Sequence, residues 1–511
     1  MDLNTHPAED RYDVIVVGSG LGGISAAAFL AKAGKKVLVV ERLDGPGGFA
    51  HAFRRGPYLI DPALHNVGEV KEGQMLDTWL RALGVRDQCN FIPLHSPLCT
   101  LFLPGYRFDA PFGVEEFQAA LIRDFPHEAE GIRSFFKLCM QIKLEYIQRR
   151  PADSLQGLAR AAEGFETLLK YRGATTGQAL DEFITDPRPK AACSPLWGYC
   201  GVPPSRLSLV TFAGMMISIL EGGLSYCEGS FQNLVNAFVH SLKRDGGELV
   251  VKKRVSRINV QDGHVTGVTL EDGRPLAAAV VISNADATQT FLDLVGAEHL
   301  PAPYLRRLSQ LKASGSAFMV YSATTLDIPR LNLAHETFVY SSWDYDEVER
   351  QIGAGKAAAI SIRIPTLADP ALAPPGEHIV STLVLMPFDI GVPWREARDR
   401  YTEMVLDQVE AYLPGYRAGL IFAEGSTPLA LHRYSLALNG AMHGWENNPN
   451  QTQSRRLGHR TPIEGLHLSG AWTQPGSGAN NCMQSGLQTA QIVLGATDQA
   501  QFLRDLTASN R

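Results

Sequence analysis

The 511-residue chain lacks any apolar run long enough to cross a membrane as a helix, which takes about 18 or more consecutive apolar residues. Its nearest approach, Leu207 to Leu220 (L-S-L-V-T-F-A-G-M-M-I-S-I-L), reads as a buried core helix or as the lining of a channel for an apolar substrate. No basic face accompanies that run, so peripheral membrane contact has no electrostatic support. Cationic excess is lacking too: a net charge of -6 leaves no basic footprint for nucleic acid. The seven cysteines (Cys89, Cys99, Cys139, Cys193, Cys200, Cys227, Cys482) form no C-x-x-C pair and are odd in number, which argues against a disulfide framework or a metal site. The opening M-D-L-N-T-H-P-A-E-D has no basic stretch followed by an apolar core, so no signal peptide is expected and the reading is cytoplasmic. No repeat or low-complexity tract occurs. With 45% hydrophobic and 20% charged residues, the length suggests two or three ordinary globular domains.

What is present starts at Tyr12. Tyr12 to Val17 (Y-D-V-I-V-V) is a β-branched run suited to a parallel strand buried on both faces. It leads into Gly18-Ser19-Gly20-Leu21-Gly22-Gly23, a helix over Gly22 to Ala33, a second strand Val37 to Val40, and Glu41. This is a dinucleotide-binding βαβ unit. Gly18, Gly20 and Gly23 allow a tight turn, close approach of backbone to pyrophosphate and close packing of helix on strand, with Leu21 and Gly22 at the helix start. There the unpaired amides and the positive end of the helix dipole favour an anion. Glu41 stands where a carboxylate accepts the ribose hydroxyls, and an acid rather than an arginine argues against a 2′-phosphate.

Nucleotide-fold character returns later in the chain. Leu234 to Lys243 reads as a helix, and Glu248 to Val251, Val255 to Val260, Gly263 to Leu270 and Ala278 to Ser283 as strands. Between them and the first unit lie helical patterns at Glu128 to Arg149 and Gly177 to Ile184. Further on, Ala317 to Tyr321, Ala358 to Ile364 and Ile379 to Met386 read as strands, and Trp394 to Leu413 as one amphipathic helix. Near the end, Gly465 to Ala471 is a strand closing in small residues, leading to a helix over Cys482 to Leu494. Its start brings a second positive helix end beside the cofactor.

These motifs resemble the FAD-dependent family of phytoene desaturases, carotenoid isomerases and retinol saturases. The resemblance runs through E-R-L-D-G-P-G-G-F-A-H (Glu41 to His51), D-P-A-L-H-N-V-G (Asp61 to Gly68) and W-G-Y-C-G-V-P-P-S-R-L-S (Trp197 to Ser208). It continues through Thr427-Pro428, Arg433-Tyr434, G-A-M-H-G-W (Gly440 to Trp445) and G-A-W-T-Q-P-G-S-G (Gly470 to Gly478). It implies an α/β fold in which a Rossmann-type, glutathione reductase-like FAD domain is built from discontinuous segments around an inserted α+β substrate domain. The expected boundaries are 10–90, 221–295 and 456–511 for the FAD domain, and 91–220 and 296–455 for the substrate domain. Noncovalent FAD, hydride exchange at flavin N5 and an apolar isoprenoid or polyene substrate are implied as well, with desaturation as the first reading, saturation or cis-trans isomerisation as rivals, and oxygen or quinone as electron acceptor. An amine oxidase and an isoprenoid carrier are more distant alternatives.

The chain also departs from the family pattern. Ala63 replaces a glycine, Tyr226-Cys227-Glu228-Gly229-Ser230 replaces Y-P-x-G-G, and the stretch Ala479-Asn480-Asn481-Cys482-Met483-Gln484 is amide-rich where the family is small and apolar. That predicts a pocket more polar than a carotenoid needs. His65 is either a proton donor or acceptor beside the flavin or a hydrogen-bonded structural histidine; His51, His443 and Glu228 are weaker candidates. Asn480 and Asn481 either bond flavin or substrate oxygens or cap the helix, and Cys482 is either a lowered-pKa thiol or a packing residue. Cofactor contacts are also expected at Arg42, Gly47, Gly48, the Val255 amide, Asn284, Gly470, Ala471, Asn481, Cys482 and Met483.

Overall fold

The β-branched run at the N-terminus becomes the strand Arg11–Val17, whose last four residues are buried, and it occupies the middle of a seven-stranded sheet. The structure, a computed structural model, describes residues 3–148 and 164–508. Val37–Val40 and Glu248–Val250 continue the sheet in parallel on one side of Arg11–Val17. On the other side Pro275–Ser283 pairs in parallel with both Arg11–Val17 and Leu466–Leu468, and Val255–Gln261 and His264–Leu270 add an antiparallel flap. The core under that flap also takes in Leu308, Ala437, Trp445 and Leu457.

The helix Leu21–Lys32 has every residue from Leu21 to Ala31 buried. Its alanines let it lie close to the helices Gln232–Arg244 and Ala479–Leu494, which flank it. The second contact is the tighter: a Cβ on Gly486 would lie 2.1 Å from Ser25 Oγ and 2.5 Å from the Gly22 carbonyl oxygen.

The second sheet runs in the order Leu420–Ser426, Ser316–Thr324, His378–Met386, Ala359–Arg363, Glu336–Tyr340, Cys99–Leu103, Tyr106–Ala110. All its pairings are antiparallel except that between Glu336–Tyr340 and Cys99–Leu103. The amphipathic stretch expected at Trp394 is the helix Trp394–Tyr412, which buries Trp394, Tyr401, Val405 and Val409 against this sheet.

The apolar run at Leu207 is the helix Leu209–Gly222, packed with Phe135, Phe136 and Ile142 of Ala129–Gln148 in a second core, as a buried core helix would be. Arg149, the expected end of that neighbour, lies outside the described residues. Among the described residues no helix is long and apolar enough to cross a membrane.

Two boundaries near the site differ from expectation. The last strand ends at Leu468 and not at Ala471, because Gly470 turns to φ 91°, a conformation that leaves the β region. The following helix starts at Ala479, three residues early, because Gly478 at φ 102° ends the turn and nothing in Ala479-Asn480-Asn481 opposes helix.

Candidate functional site

The start of the first helix packs on the closing helix and on the glycine turn before it. Leu21–Lys32 begins after Gly20 with no side-chain cap, and Ala479–Leu494 begins after Gly478 with none either. Leu21, Gly22 and Gly23 are buried, so the free amides of that first turn want an acceptor. The approach is bare: a Cβ on Gly22 would lie 2.5 Å from Gly470 Cα and 2.6 Å from Asn284 Oδ1, and one on Gly20 2.8 Å from Asn284 Nδ2. Asn284 is thus the bolt between the two glycine turns, its own amide bonded to the Val17 carbonyl at 2.9 Å. Gly47 and Gly48 close over the loop, with the Gly47 amide on the Ser19 carbonyl at 3.2 Å and a Gly48 Cβ 3.0 Å from Gly20 Cα.

Glu41 braces this turn. One carboxylate oxygen accepts from the Ser19 amide at 2.9 Å and hydroxyl at 2.6 Å, the other from the Leu43 amide at 2.8 Å. Its main chain pairs with Val250 and Lys253, two residues before Val255, so Glu41 and the start of the antiparallel flap lie together.

Arg42 donates to the carbonyls of Arg433 and Tyr434 at 2.8 and 2.9 Å. In the closing segment, Ser485 Oγ accepts from the Gly470 amide, Ala471 packs on Gly444, and the Met483 carbonyl meets Ser25 Oγ.

Neither asparagine is the helix cap; both sit inside the first turn. Asn480 donates to the Gly68 carbonyl at 3.0 Å and leaves its buried Oδ1 without a partner, while Asn481 donates to the Ser477 carbonyl at 2.8 Å. Asn480 therefore ties the segment carrying His65 to the start of the closing helix. The thiol of Cys482 is pushed up to about 12 by burial, with Arg456 opposing weakly, so the lowered-pKa reading is corrected. Arg456 itself is fully buried, donates to the Trp445 carbonyl at 2.6 Å and is lowered to about 10 by burial.

His65 lies in a network that sequence reasoning missed. Its Nε2 meets Glu336 Oε2 at 2.8 Å and its Nδ1 faces the Ala63 carbonyl at 3.1 Å. The Tyr199 hydroxyl also donates to Glu336 and accepts from Asn66 at 2.9 Å, while Ser361 and Arg363 (Nε at 3.2 Å) bond the other carboxylate oxygen. Burial alone would raise the Glu336 carboxyl; His65, Arg363 and Ser361 override it and hold the group well below the usual carboxylate range. Tyr199 is held far above its ordinary value by burial and then by the Glu336 charge, so it keeps its proton. His335 donates to the His65 carbonyl at 3.1 Å and is lowered to about 4, chiefly by burial.

His51 bonds the Gly48 carbonyl at 2.6 Å, and Glu228 accepts from Asn90 at 2.6 Å on the surface. His443 is lowered to about 4 by burial, then by Arg363 and Arg456.

The sequence profile of the family described as flavin containing amine oxidoreductase matches residues 21–494. The chain is 28% identical over 522 residues to chloroplastic prolycopene isomerase 1 of an Oncidium hybrid cultivar, covering 97% of this chain and 86% of that one. It is 29% identical over 512 residues to the lycopene-forming phytoene desaturase of Paracoccus sp. (strain N81106 / MBIC 01143), covering 96% and 99%. The solved cyclohexylamine oxidase of Brevibacterium oxydans IH-35A shares the fold, with a TM-score of 0.60, 17% identity and coverage of 97% of this chain and 99% of that one.

Proposed function

The chain belongs to the flavin containing amine oxidoreductase family and is an FAD-dependent oxidoreductase, and from that premise we propose that it desaturates a carbon–carbon bond of an apolar or partly apolar, polyene-like metabolite. The observation that carries the cofactor is the start of Leu21–Lys32, which has no side-chain cap and whose Gly22 lies bare against the glycine turn at Gly470. Glu41 and the Val255 strand would hold the adenosine end, the amides after Gly20 the pyrophosphate, and Asn480, Asn481, Cys482 and Met483 the far end. When bound, FAD supplies hydride exchange with a substrate carbon; the protein supplies binding, orientation and proton handling. Relatives named for phytoene desaturation and prolycopene isomerisation support a polyene substrate. Oxygen or a quinone as acceptor, and a cytoplasmic location, are parts of the same proposal.

A second reading, isomerisation or saturation of a double bond, is favoured by one feature. Both ring nitrogens of His65 face acceptors, an arrangement that suits a proton donor. The test is anaerobic spectroscopy of the purified yellow protein. Bleaching on addition of phytoene supports desaturation. Bleaching only with an external reductant, followed on adding a polyene by return of colour (saturation) or by a geometric isomer formed while the flavin stays reduced (isomerisation), replaces desaturation by the second reading. Bleaching by amines with peroxide release in air, or a protein without extractable flavin, overturns both.

A further inference from the structure

Glu336 and Arg363 are buried charged groups on neighbouring strands of the second sheet, and their side chains are 3% and 8% exposed. A buried ion pair is weak evidence for stability, since desolvation cancels much of the attraction. Its partners here lie on other parts of the chain: His65 on the segment tied to the closing helix through Gly68 and Asn480, and Tyr199 on the short turn Trp197–Tyr199. Every group facing His65 has a fixed role. Glu336 stays ionised and can only accept; Tyr199 stays a phenol; Arg363 binds both Glu336 and the Ala63 carbonyl, at 3.2 Å each; His335 donates to the His65 carbonyl.

Resting on the oxidoreductase reading above, we propose that Glu336 is the positioning residue of His65. It fixes a hydrogen on Nε2 and the orientation of the ring, while Arg363, Ser361 and Tyr199 fix Glu336 in turn. The same logic orients the histidine of hydrolytic triads, where a buried carboxylate sets tautomer and angle without touching substrate. The proton-handling ring is then complete only when three parts of the chain, the 61–68 segment, the Tyr199 turn and the second sheet, are docked together.

The test uses 15N-histidine-labelled, FAD-loaded full-length protein. The Nε2-bound hydrogen of His65 should give a downfield, slowly exchanging proton resonance, assigned by its disappearance in His65→Asn. Glu336→Gln should lose that resonance while keeping flavin content and absorbance, Glu336→Asp should restore it in part, and Tyr199→Phe should move it without loss. With substrate, Glu336→Gln should lower kcat by about 10²-fold or more and leave KM nearly unchanged. A resonance unaltered in folded, yellow Glu336→Gln overturns the proposal. Should that variant fail to fold, an unaltered resonance in Tyr199→Phe overturns it instead. A wild-type protein without flavin would defeat the oxidoreductase reading, yet the resonance would still report whether Glu336 positions His65.

Discussion

Where Gly22 faces Gly470, side chains are absent so that two backbones touch; where His65 faces Glu336, side chains from separate segments fill the space with charge. The first region presents amides and a helix dipole, which hold an anion without titrating or reorienting. The second presents Glu336, held ionised by its partners against burial, and Tyr199, held as a phenol by burial and by the Glu336 charge. A cofactor that stays bound suits a fixed backbone site, and a proton that moves suits a tuned side-chain network.

The sharpest way to break the comparison is Arg363→Met. It leaves Glu336 buried without its cation, and loss of one partner of a buried pair costs about 3–5 kcal/mol. Chemical denaturation should show that loss, with a flavin spectrum unchanged in the fraction that folds. A cost below about 1 kcal/mol would mean the second region is no coupled network.

Asp61 leads into the His65 segment and accepts from the Tyr226 hydroxyl and the Phe231 amide. Burial pushes its carboxyl up to about 7 against those two bonds. A raised carboxyl favours folding in its protonated form, so its contribution is fully present below the ordinary value near ~4 and is lost as pH rises through about 7. Melting temperature against pH should therefore fall less between pH 4 and 7 in Asp61→Asn than in the wild type. Parallel curves would show that Asp61 titrates normally.

In the backbone region, Gly22→Ala should cost about 1–3 kcal/mol through overpacking and strip the protein of most of its flavin. Flavin retained at wild-type content would mean the two glycine turns do not need to touch.

The smallest effect tests a departure from the family pattern. Ser230 adopts φ 99° where the resembling turn carries glycine. Ser230→Gly should gain about 1 kcal/mol or less in denaturant midpoint with the His65 network unmoved.

The backbone region was largely legible in the sequence. Gly18 to Gly23, Val37 to Glu41 and the glycine turn at Gly470 each carry their geometry in local spacing, and the elements appear within about three residues of expectation. The capping reading of Asn480 and Asn481 fails for an equally local reason: Gly478 took the capping position that an asparagine normally prefers. His65 could be singled out as a titratable group in a matching motif, but Glu336 and Arg363 could not. Arg363 sits on the strand expected over Ala358 to Ile364 and Glu336 on one that the sequence did not single out, 298 and 271 positions from His65. The one available signal was a charged residue at one end of each strand, E-T-F-V-Y and A-I-S-I-R, in segments otherwise mostly apolar; antiparallel pairing sets the two charges opposite each other.

By itself the sequence determined the dinucleotide unit, because tight turns, helix starts and buried parallel strands are set by residues a few positions apart. The tertiary structure alone decided which carboxylate meets His65, that Asn284 bolts the two glycine turns together, and that Arg42 binds the Arg433–Tyr434 backbone. Those pairings join segments hundreds of residues apart, and their strength depends on burial, which lifts Asp61 and Cys482 and leaves Glu336 ionised only because its partners surround it.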